Sequence, residues 1–283
     1  MERIITTGND YRPDPGSVGL GVSCHLRRRP AGREVRVVLM IYHGDCLDIM
    51  PTLADKSVDM ILCDLPYGTT ACKWDTIIPF EPLWKEYKRL IKDNGAIVLT
   101  ASQPFTSALV MSNPGWFKYS WVWNKVHAVG FQIAKYRPMQ QHEDVLVFGD
   151  GKVKYNPIMT DRPKKRESKL YGNSDVSPLK YVHFRDREYT QWYPKSILEF
   201  SGADHSKMLH PTQKPVALFE YLIRTYTNEG DTVLDNCAGS FTTAIACINT
   251  NRQYICIEKD DKYFEIGKNR IENHQPLLQA VNV

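Results

Sequence analysis

The sequence predicts an α/β fold with a mostly parallel sheet and helices on both faces, and three observations carry that prediction. Short apolar runs without alternation recur at 58–62, 96–100, 145–148, 232–234 and 254–257, as strands buried on both sides require. Stretches of helical spacing stand between most of them. Finally, Asp45, Asp64, Asp235 and Glu258 are each the first polar residue after a strand-like run. In parallel strands these acids share one rim, the edge at which open α/β sheets bind ligands. Four acids that repel one another across an empty rim suggest a shared polar or cationic ligand.

At 283 residues, with 42% hydrophobic and 24% charged residues, the chain has the composition of a soluble globule with one large core or two modest ones. No run is long enough to span a bilayer, and no segment has a signal peptide's charged-then-apolar plan, so a cytoplasmic protein without membrane contact is expected. The seven cysteines form no Cys-x-x-Cys pair and are dispersed through apolar stretches. Reduced thiols follow, with neither a zinc site nor a disulfide framework, and no metal is expected. A net charge of +4 is too small to prove a polyanionic partner, so its distribution matters more.

Residues 1–39 lack periodicity and carry Arg27, Arg28, Arg29, Arg33 and Arg36. A solvated, disordered leader is expected there, with a nucleic-acid arm as the other reading. Met40 stands directly before the first strand, so the native chain is expected to begin there; N-terminal sequencing that found residue 1 would refute this. Ile41–His43 reads as a strand ending in Gly44 and Asp45, followed by a helix over 46–53. The run from Val58 stops at Asp64-Leu65-Pro66-Tyr67-Gly68, where Pro66 pins the backbone and Tyr67 offers a flat face to a planar ligand. Leu83, Trp84, Tyr87, Leu90 and Ile91 give a helix over 82–92, closed by Asn94 and Gly95. A strand over 96–100, a helix over 104–112, an aromatic-rich strand over 118–124 and a strand over 145–148 complete the region 40–148. Trp121 and Trp123 are expected to pack at core and rim, and lone histidines such as His142 and His205 to be structural.

Over 149–203 the periodicity fails. Lys152, Lys154, Arg162, Lys164, Lys165, Arg166, Lys169, Arg185 and Arg187 interleave with Tyr155, Tyr171, Tyr181, Tyr189, Trp192 and Tyr193. Charges for phosphates and rings for bases make this insert a candidate target-recognition region, and a merely solvated loop is the alternative. In 204–275, Thr212 and Pro215 suit the start of a helix over 216–227. A strand over 231–236 ends in Asp235, and Ala238, Gly239 and Ser240 turn tightly into a helix over 242–249. The next strand, 254–257, ends in Glu258, and Asp260 caps a helix to about Ile271. Residues 276–283 are a tail. Strand, tight turn, helix, strand and acid make a nucleotide-binding half, in which Glu258 can accept hydrogen bonds from ribose hydroxyls. No Gly-x-x-x-x-Gly-Lys signature points to a triphosphate, and no Gly-x-Gly-x-x-Gly points to a dinucleotide.

Three segments resemble the motifs of amino DNA methyltransferases. Asp64-Leu65-Pro66-Tyr67 resembles their catalytic Asp-Pro-Pro-Tyr, with Leu65 replacing the first proline. The stretch 233–243 resembles their cofactor loop, usually Asp-Pro-Phe-x-Gly-Ser-Gly-Thr-Thr, and 210–215 resembles the preceding His-Pro-Thr-Gln-Lys-Pro. The catalytic motif comes first, then a basic insert, then the cofactor motif, as in the β permutation class. The likeness covers about 41–271. It implies a Rossmann-like S-adenosylmethionine-dependent methyltransferase fold with circularly permuted motif order. The region 40–148 would be the catalytic half and 204–275 the cofactor half. Asp64, Pro66 and Tyr67 would be catalytic. Asp45, Asp64, His210, Thr212, Lys214, Asp235, Ala238, Gly239, Ser240 and Glu258 would hold S-adenosylmethionine.

The resemblance implies transfer of a methyl group to an exocyclic amine of a base flipped out of double-stranded DNA. Such an amine is a poor nucleophile because its lone pair is delocalised into the ring. Asp64 and the carbonyl of Leu65 or Pro66 would accept its two hydrogens and localise that pair, with Tyr67 stacked on the base. Asp at the first motif position favours N6 of adenine, with N4 of cytosine as the alternative. A carbon-5 cytosine enzyme would need a Pro-Cys nucleophile, which is absent, and Cys63 is expected to pack in its strand. Lys73, Trp74, Lys125, Lys135 and Arg137 follow motif-bearing strands and are expected to contact phosphates or bases. Phe241 replaces the second glycine of Gly-Ser-Gly; its ring either crowds the cofactor or points into the core. The first case would favour a catalytically weak module that binds DNA or a partner protein. A homodimer and a cognate restriction enzyme are compatible with the resemblance, which identifies neither.

Overall fold

The computed structural model describes residues 25–28, 34–37, 39–69, 75–167, 188–202, 209 and 213–274. Within the stretch expected to be a leader, β1 (His25–Arg28) and β2 (Glu34–Val37) pair antiparallel. The main sheet opens with β3 (Leu39–His43), so Met40 lies inside a strand rather than before one. Asp45 caps α1 (Cys46–Ile49) by accepting the Leu47 amide at 2.9 Å, and a 3-10 turn over Met50–Thr52 completes the expected helix.

Next come β4 (Val58–Asp64), α2 (Phe80–Leu90), β5 (Ile91–Ala101), α3 (Phe105–Ser112), β6 (Phe117–Val129) and β7 (Gln140–Phe148). They are followed by β8 (Thr160–Glu167), β9 (Glu188–Trp192), β10 (Ile197–Glu199) and α4 (Val216–Tyr226). Last are β11 (Thr232–Asp235), α5 (Thr242–Asn249), β12 (Gln253–Glu258) and α6 (Asp261–Glu272). Eight of these strands form one sheet in the order β10-β6-β7-β5-β4-β11-β12-β3. All its pairings are parallel except the two made by β7.

The runs without alternation are strands buried on both faces, and successive residues serve opposite cores. Ile61, Cys63, Ile97 and Leu99 pack with Leu83, Trp84 and Tyr87 of α2 on one face. Met60, Leu62 and Val98 pack with Leu218, Leu222 and Ile223 of α4 and with Ala244 of α5 on the other. Trp121 and Trp123 are both buried, and the indole N–H of each is satisfied, by the Tyr226 hydroxyl at 2.7 Å and the Phe200 carbonyl at 2.8 Å.

Three expectations need correction. The helix predicted over 82–92 ends at Leu90, and Asn94 and Gly95 lie inside β5. Pairing with β4 jumps there from Val58↔Ile91 to Met60↔Ala96, and Asn94 takes φ 62° in the bulge; asparagine tolerates that conformation. The strand expected from 145 begins at Gln140 and runs antiparallel to its neighbours, because its polar first half lies at the rim, where an apolar run gives no signal. The stretch without periodicity holds the antiparallel pair β8–β9 and also β10, which joins the sheet beside β6.

Of the described residues, those up to Asn156 and from Ser196 onward form one compact unit, and those from Pro157 to Lys195 a second. In the second, the Arg162 guanidinium lies 5.2 Å over the Trp192 ring. Both junctions are tied down within the larger unit. The Asn156 amide donates to the Thr225 carbonyl at 2.7 Å, and the Val122 amide to the Ser196 carbonyl at 2.8 Å. Among the described residues no helix is long and apolar enough to cross a membrane.

Candidate active site

Because β4, β11, β12 and β3 are consecutive and parallel, Asp64, Asp235, Glu258 and Asp45 line one cavity at their carboxyl ends. Its volume of about 1390 Å³ exceeds the roughly 300–1,000 Å³ of ordinary small-molecule pockets, leaving room for two ligands side by side. Backbone hydrogen bonds continue past the strands and hold the rim together: Gly44 N–H to the Glu258 carbonyl and Ala238 N–H to the Ile257 carbonyl, both 2.9 Å.

Asp64 is held from three sides. Its Oδ1 accepts the Tyr67 hydroxyl at 2.8 Å and the Thr100 hydroxyl, and its Oδ2 accepts the Lys214 ammonium at 2.7 Å. The turn after it is fixed by Asp75, which accepts the Gly68 and Thr69 amides at 2.8 and 2.9 Å. The Tyr67 ring stacks on Phe105, with centroids 5.2 Å apart at 24°, so Phe105 already covers part of the expected stacking platform. Burial, followed by the Asp64 and Glu143 charges, pushes the Tyr67 hydroxyl well above the usual tyrosine range and keeps it a donor.

Lys214 is 7% exposed and sits between Asp64 and Glu143, whose Oε2 lies 3.4 Å from its Nζ. Burial works to lower its pKa, but the charges of Asp64 and Glu143 raise it on balance. Glu143 behaves conversely: burial works to raise its pKa, yet Lys214 and Lys125 hold it low. Lys125 pairs with Glu143 and lies 5.2 Å over the Trp123 ring.

In the other half, Asp235 accepts the Thr243 hydroxyl on one oxygen and the Cys237 amide at 3.1 Å on the other. Burial raises its pKa to about 7 against those bonds. An acid whose folded pKa is raised contributes stability that is full below its unfolded pKa of about 3.9 and lost as pH rises through the folded value. The Asp235 contribution should therefore fall from pH 5 to pH 8, so the wild type should lose more stability between these pH values than Asp235→Asn does in urea denaturation. Glu258 accepts the Gly239 amide at 2.6 Å and the Asp260 amide at 2.8 Å, and burial raises its pKa. Gly239 makes this bond at φ 51°, a conformation open to glycine without strain. Asp45 pairs with Lys259 at 2.8 Å, so each of the four rim acids has its own partners, and mutual repulsion does not by itself demand a ligand. Arg270 fixes Ser240 through its carbonyl at 2.8 Å and its hydroxyl at 3.2 Å.

Phe241 settles between its two readings. It is fully buried, adopts φ 57°, meets Phe264 edge-on at 5.9 Å and covers Gly267, where an added Cβ would fall 2.7 Å from the ring. The ring points into the core. Cys63 is likewise fully buried in β4, with its thiol pushed up to about 12 by burial.

The structure thus brings Asp45, Asp64, Pro66, Tyr67, Lys125, Lys214, Asp235, Ala238, Gly239, Ser240 and Glu258 to one cavity. Lys73, Trp74, His205, His210 and Thr212 lie outside the described residues. Lys135 and Arg137 are exposed in the turn between β6 and β7, near Phe131 and Tyr136, which are 79% and 87% exposed. Sequence reasoning missed Thr100, Asp75 and Glu143. Thr100 carried a signal, as the polar residue ending a buried run beside the Asp64 strand. Glu143 carried none, because an antiparallel strand brings its beginning, not its end, to the rim.

The profile of a family described as DNA methylase, covering the N6 and N4 enzymes, matches residues 58–269. Type II methyltransferase M.HpaI of Haemophilus parainfluenzae is 28% identical over 81% of this chain and 73% of its own length. DNA adenine methyltransferase YhdJ of Escherichia coli is 28% identical over 85% of this chain and 84% of its own. Among solved structures, the M1.HpyAVI complex with S-adenosylmethionine (SAM) superposes with a TM-score of 0.56 at 28% identity, covering 82% of this chain and all of the other. The sheet order, the acids at its carboxyl edge and the profile match agree, and the chain belongs to the DNA methylase family, whose cofactor is S-adenosylmethionine.

Proposed function

We propose that the chain methylates the exocyclic N6 of adenine in double-stranded DNA, with Asp64, Pro66 and Tyr67 as the catalytic residues. The observation that carries this reading is Asp64 at the end of β4, facing a cavity large enough for cofactor and base. The donor chemistry fits S-adenosylmethionine: Asp45 and Glu258 suit its ribose hydroxyls, and Asp235 and Asp64 its cationic groups. Small residues at Ala238, Gly239 and Ser240 leave the backbone open to close approach. When bound, the cofactor supplies an electrophilic methyl group on a sulfonium. His210, Thr212 and Lys214 belong to the same proposed cofactor side.

The protein's part is to localise the amine lone pair. Asp64 and the Leu65 or Pro66 carbonyl accept the two amine hydrogens, so the nitrogen becomes sp³-like and its lone pair points toward the cofactor side. Tyr67, anchored through its hydroxyl, presents what remains free of its ring to the flipped base. Adenine is preferred over the N4-cytosine alternative on the Asp at the first motif position, and the adenine specificity in the name of YhdJ agrees. The binding-module reading loses its motive, since Phe241 is buried in the core. Incubation with methyl-labelled S-adenosylmethionine and unmethylated duplex DNA, followed by nucleoside mass spectrometry, tests the proposal. N6-methyladenine supports it, N4-methylcytosine overturns the base, and no product overturns the activity.

The insert over 149–203 is proposed as the target reader, and Lys73, Trp74, Lys125, Lys135 and Arg137 as DNA contacts. Lys135 and Arg137 offer free charge beside exposed rings, whereas Lys125 is already paired with Glu143. The double change Lys135→Glu and Arg137→Glu is expected to weaken DNA binding. It should also reduce the slope of log affinity against log salt by about 0.9 per lost phosphate contact. Equal affinity at low and high salt would refute the placement.

A further inference from the structure

Glu143 is 9% exposed, and its Oε2 is a buried oxygen with no hydrogen-bond partner. It faces the Lys214 ammonium only as a loose ion pair at 3.4 Å, longer than a charge-assisted hydrogen bond, so its hydrogen-bonding capacity is unspent. Its Oε1 is taken by Lys125. The Lys214 ammonium lies 3.4 Å from Oε2 but donates instead to Asp64 Oδ2 at 2.7 Å. Lys125, Glu143, Lys214 and Asp64 therefore alternate in sign along one wall of the cavity. In this arrangement both Asp64 oxygens are engaged, Oδ1 by Tyr67 and Thr100 and Oδ2 by Lys214. A carboxylate neutralised by an adjacent ammonium is a weakened acceptor for a further N–H.

We infer that Glu143 is a positioning residue: its Oε2, now only loosely ion-paired, takes a full hydrogen bond from the Lys214 ammonium when the target amine enters, which releases Asp64 Oδ2 to accept the amine hydrogen. The inference rests on the reading of Asp64 as the catalytic acceptor. The movement is small, since a charge-assisted bond needs about 2.8 Å and lysine carries three donors on a flexible stem. No proton changes hands. Lys214 keeps its charge in both positions, because a carboxylate faces it in each. Lys125 stays on Oε1 throughout and holds Glu143 ionised. The exchange spares the site an unpaired buried cation, which would otherwise cost far more than the shift itself.

Single-turnover methyl transfer to unmethylated genomic duplex DNA tests this in wild type, Glu143→Gln, Lys214→Met and the double variant. Thermal midpoint and S-adenosylmethionine affinity are measured alongside. Glutamine keeps the shape but cannot draw the ammonium from Asp64. It is expected to slow the step by about 10–100-fold while cofactor affinity stays within about threefold. In the Lys214→Met background the same change should cost less than about threefold, because nothing remains to be moved. Equal losses in both backgrounds, or no loss in the first, would overturn the inference. Both backgrounds are read at saturating S-adenosylmethionine, because Lys214 also belongs to the proposed cofactor side and only the change caused by Glu143 within each background is compared. If Glu143→Gln does not fold, Glu143→Asp, which withdraws the carboxylate but keeps its charge, gives the same two-background comparison. A wild-type protein that methylates no DNA would remove the Asp64 reading itself, a failure visible before any variant is compared.

Discussion

Asp64→Ala is expected to reduce methylated product by at least about 10²–10³-fold, the usual loss when a group that stabilises a reacting centre is removed. The protein should still fold, and cofactor binding should weaken far less than methylation, because Asp45, Asp235 and Glu258 remain on the cofactor side. Nucleoside mass spectrometry after digestion reads the first effect, and equilibrium dialysis with labelled S-adenosylmethionine the second. Asp64 is reached by donors from three separate elements, Tyr67 after β4, Thr100 on β5 and Lys214 before α4. Removing it leaves Tyr67 and Thr100 still in contact with each other at 3.1 Å and Lys214 still beside Glu143, so the surroundings persist while the acceptor is gone. A variant that kept more than a tenth of wild-type activity would show that the carbonyls of the turn suffice to hold the amine.

Phe241→Gly is expected to destabilise the protein without improving cofactor binding. Deleting a buried aromatic ring costs about 3–5 kcal/mol, and relieving the left-handed backbone returns about 1–2. The net loss of roughly 1–4 kcal/mol would appear as a lower urea midpoint at unchanged slope. S-adenosylmethionine affinity should stay within about threefold. Gly267→Ala sharpens the test: its Cβ would meet the Phe241 ring at 2.7 Å, so it should be harmful in the wild type and tolerated once the ring is gone. Tighter cofactor binding with unchanged stability would instead mean that the ring crowds the site.

Asp64, Asp235 and Glu258 were legible because each ends a buried run, and in a parallel sheet the end of a run is a place in space. Glu143 was illegible for the same reason reversed: β7 runs against its neighbours, so the rim residues precede the apolar run and read as loop. Helix boundaries failed where side-chain spacing continues through a change of backbone. Ile91 keeps the helical period of α2 but already belongs to β5. Phe241 was undecidable from sequence because one ring fits either side of a tight turn. What decides is Gly267 on α6, a residue distant in sequence whose missing side chain makes the room.

The excursion between Asn156 and Ser196 leaves and re-enters the larger unit at two points that are each fixed by main-chain hydrogen bonds. A chain closed between fixed posts pays little for extra length: doubling the span costs only about 0.6 kcal/mol. By loop closure alone, exchange of this segment for a longer or shorter one should change the stability of the sheet little. Descendants of such a chain can trial new segments at nearly constant foldability, so diversity should accumulate between the posts while the β4, β11 and β12 ends stay as they are.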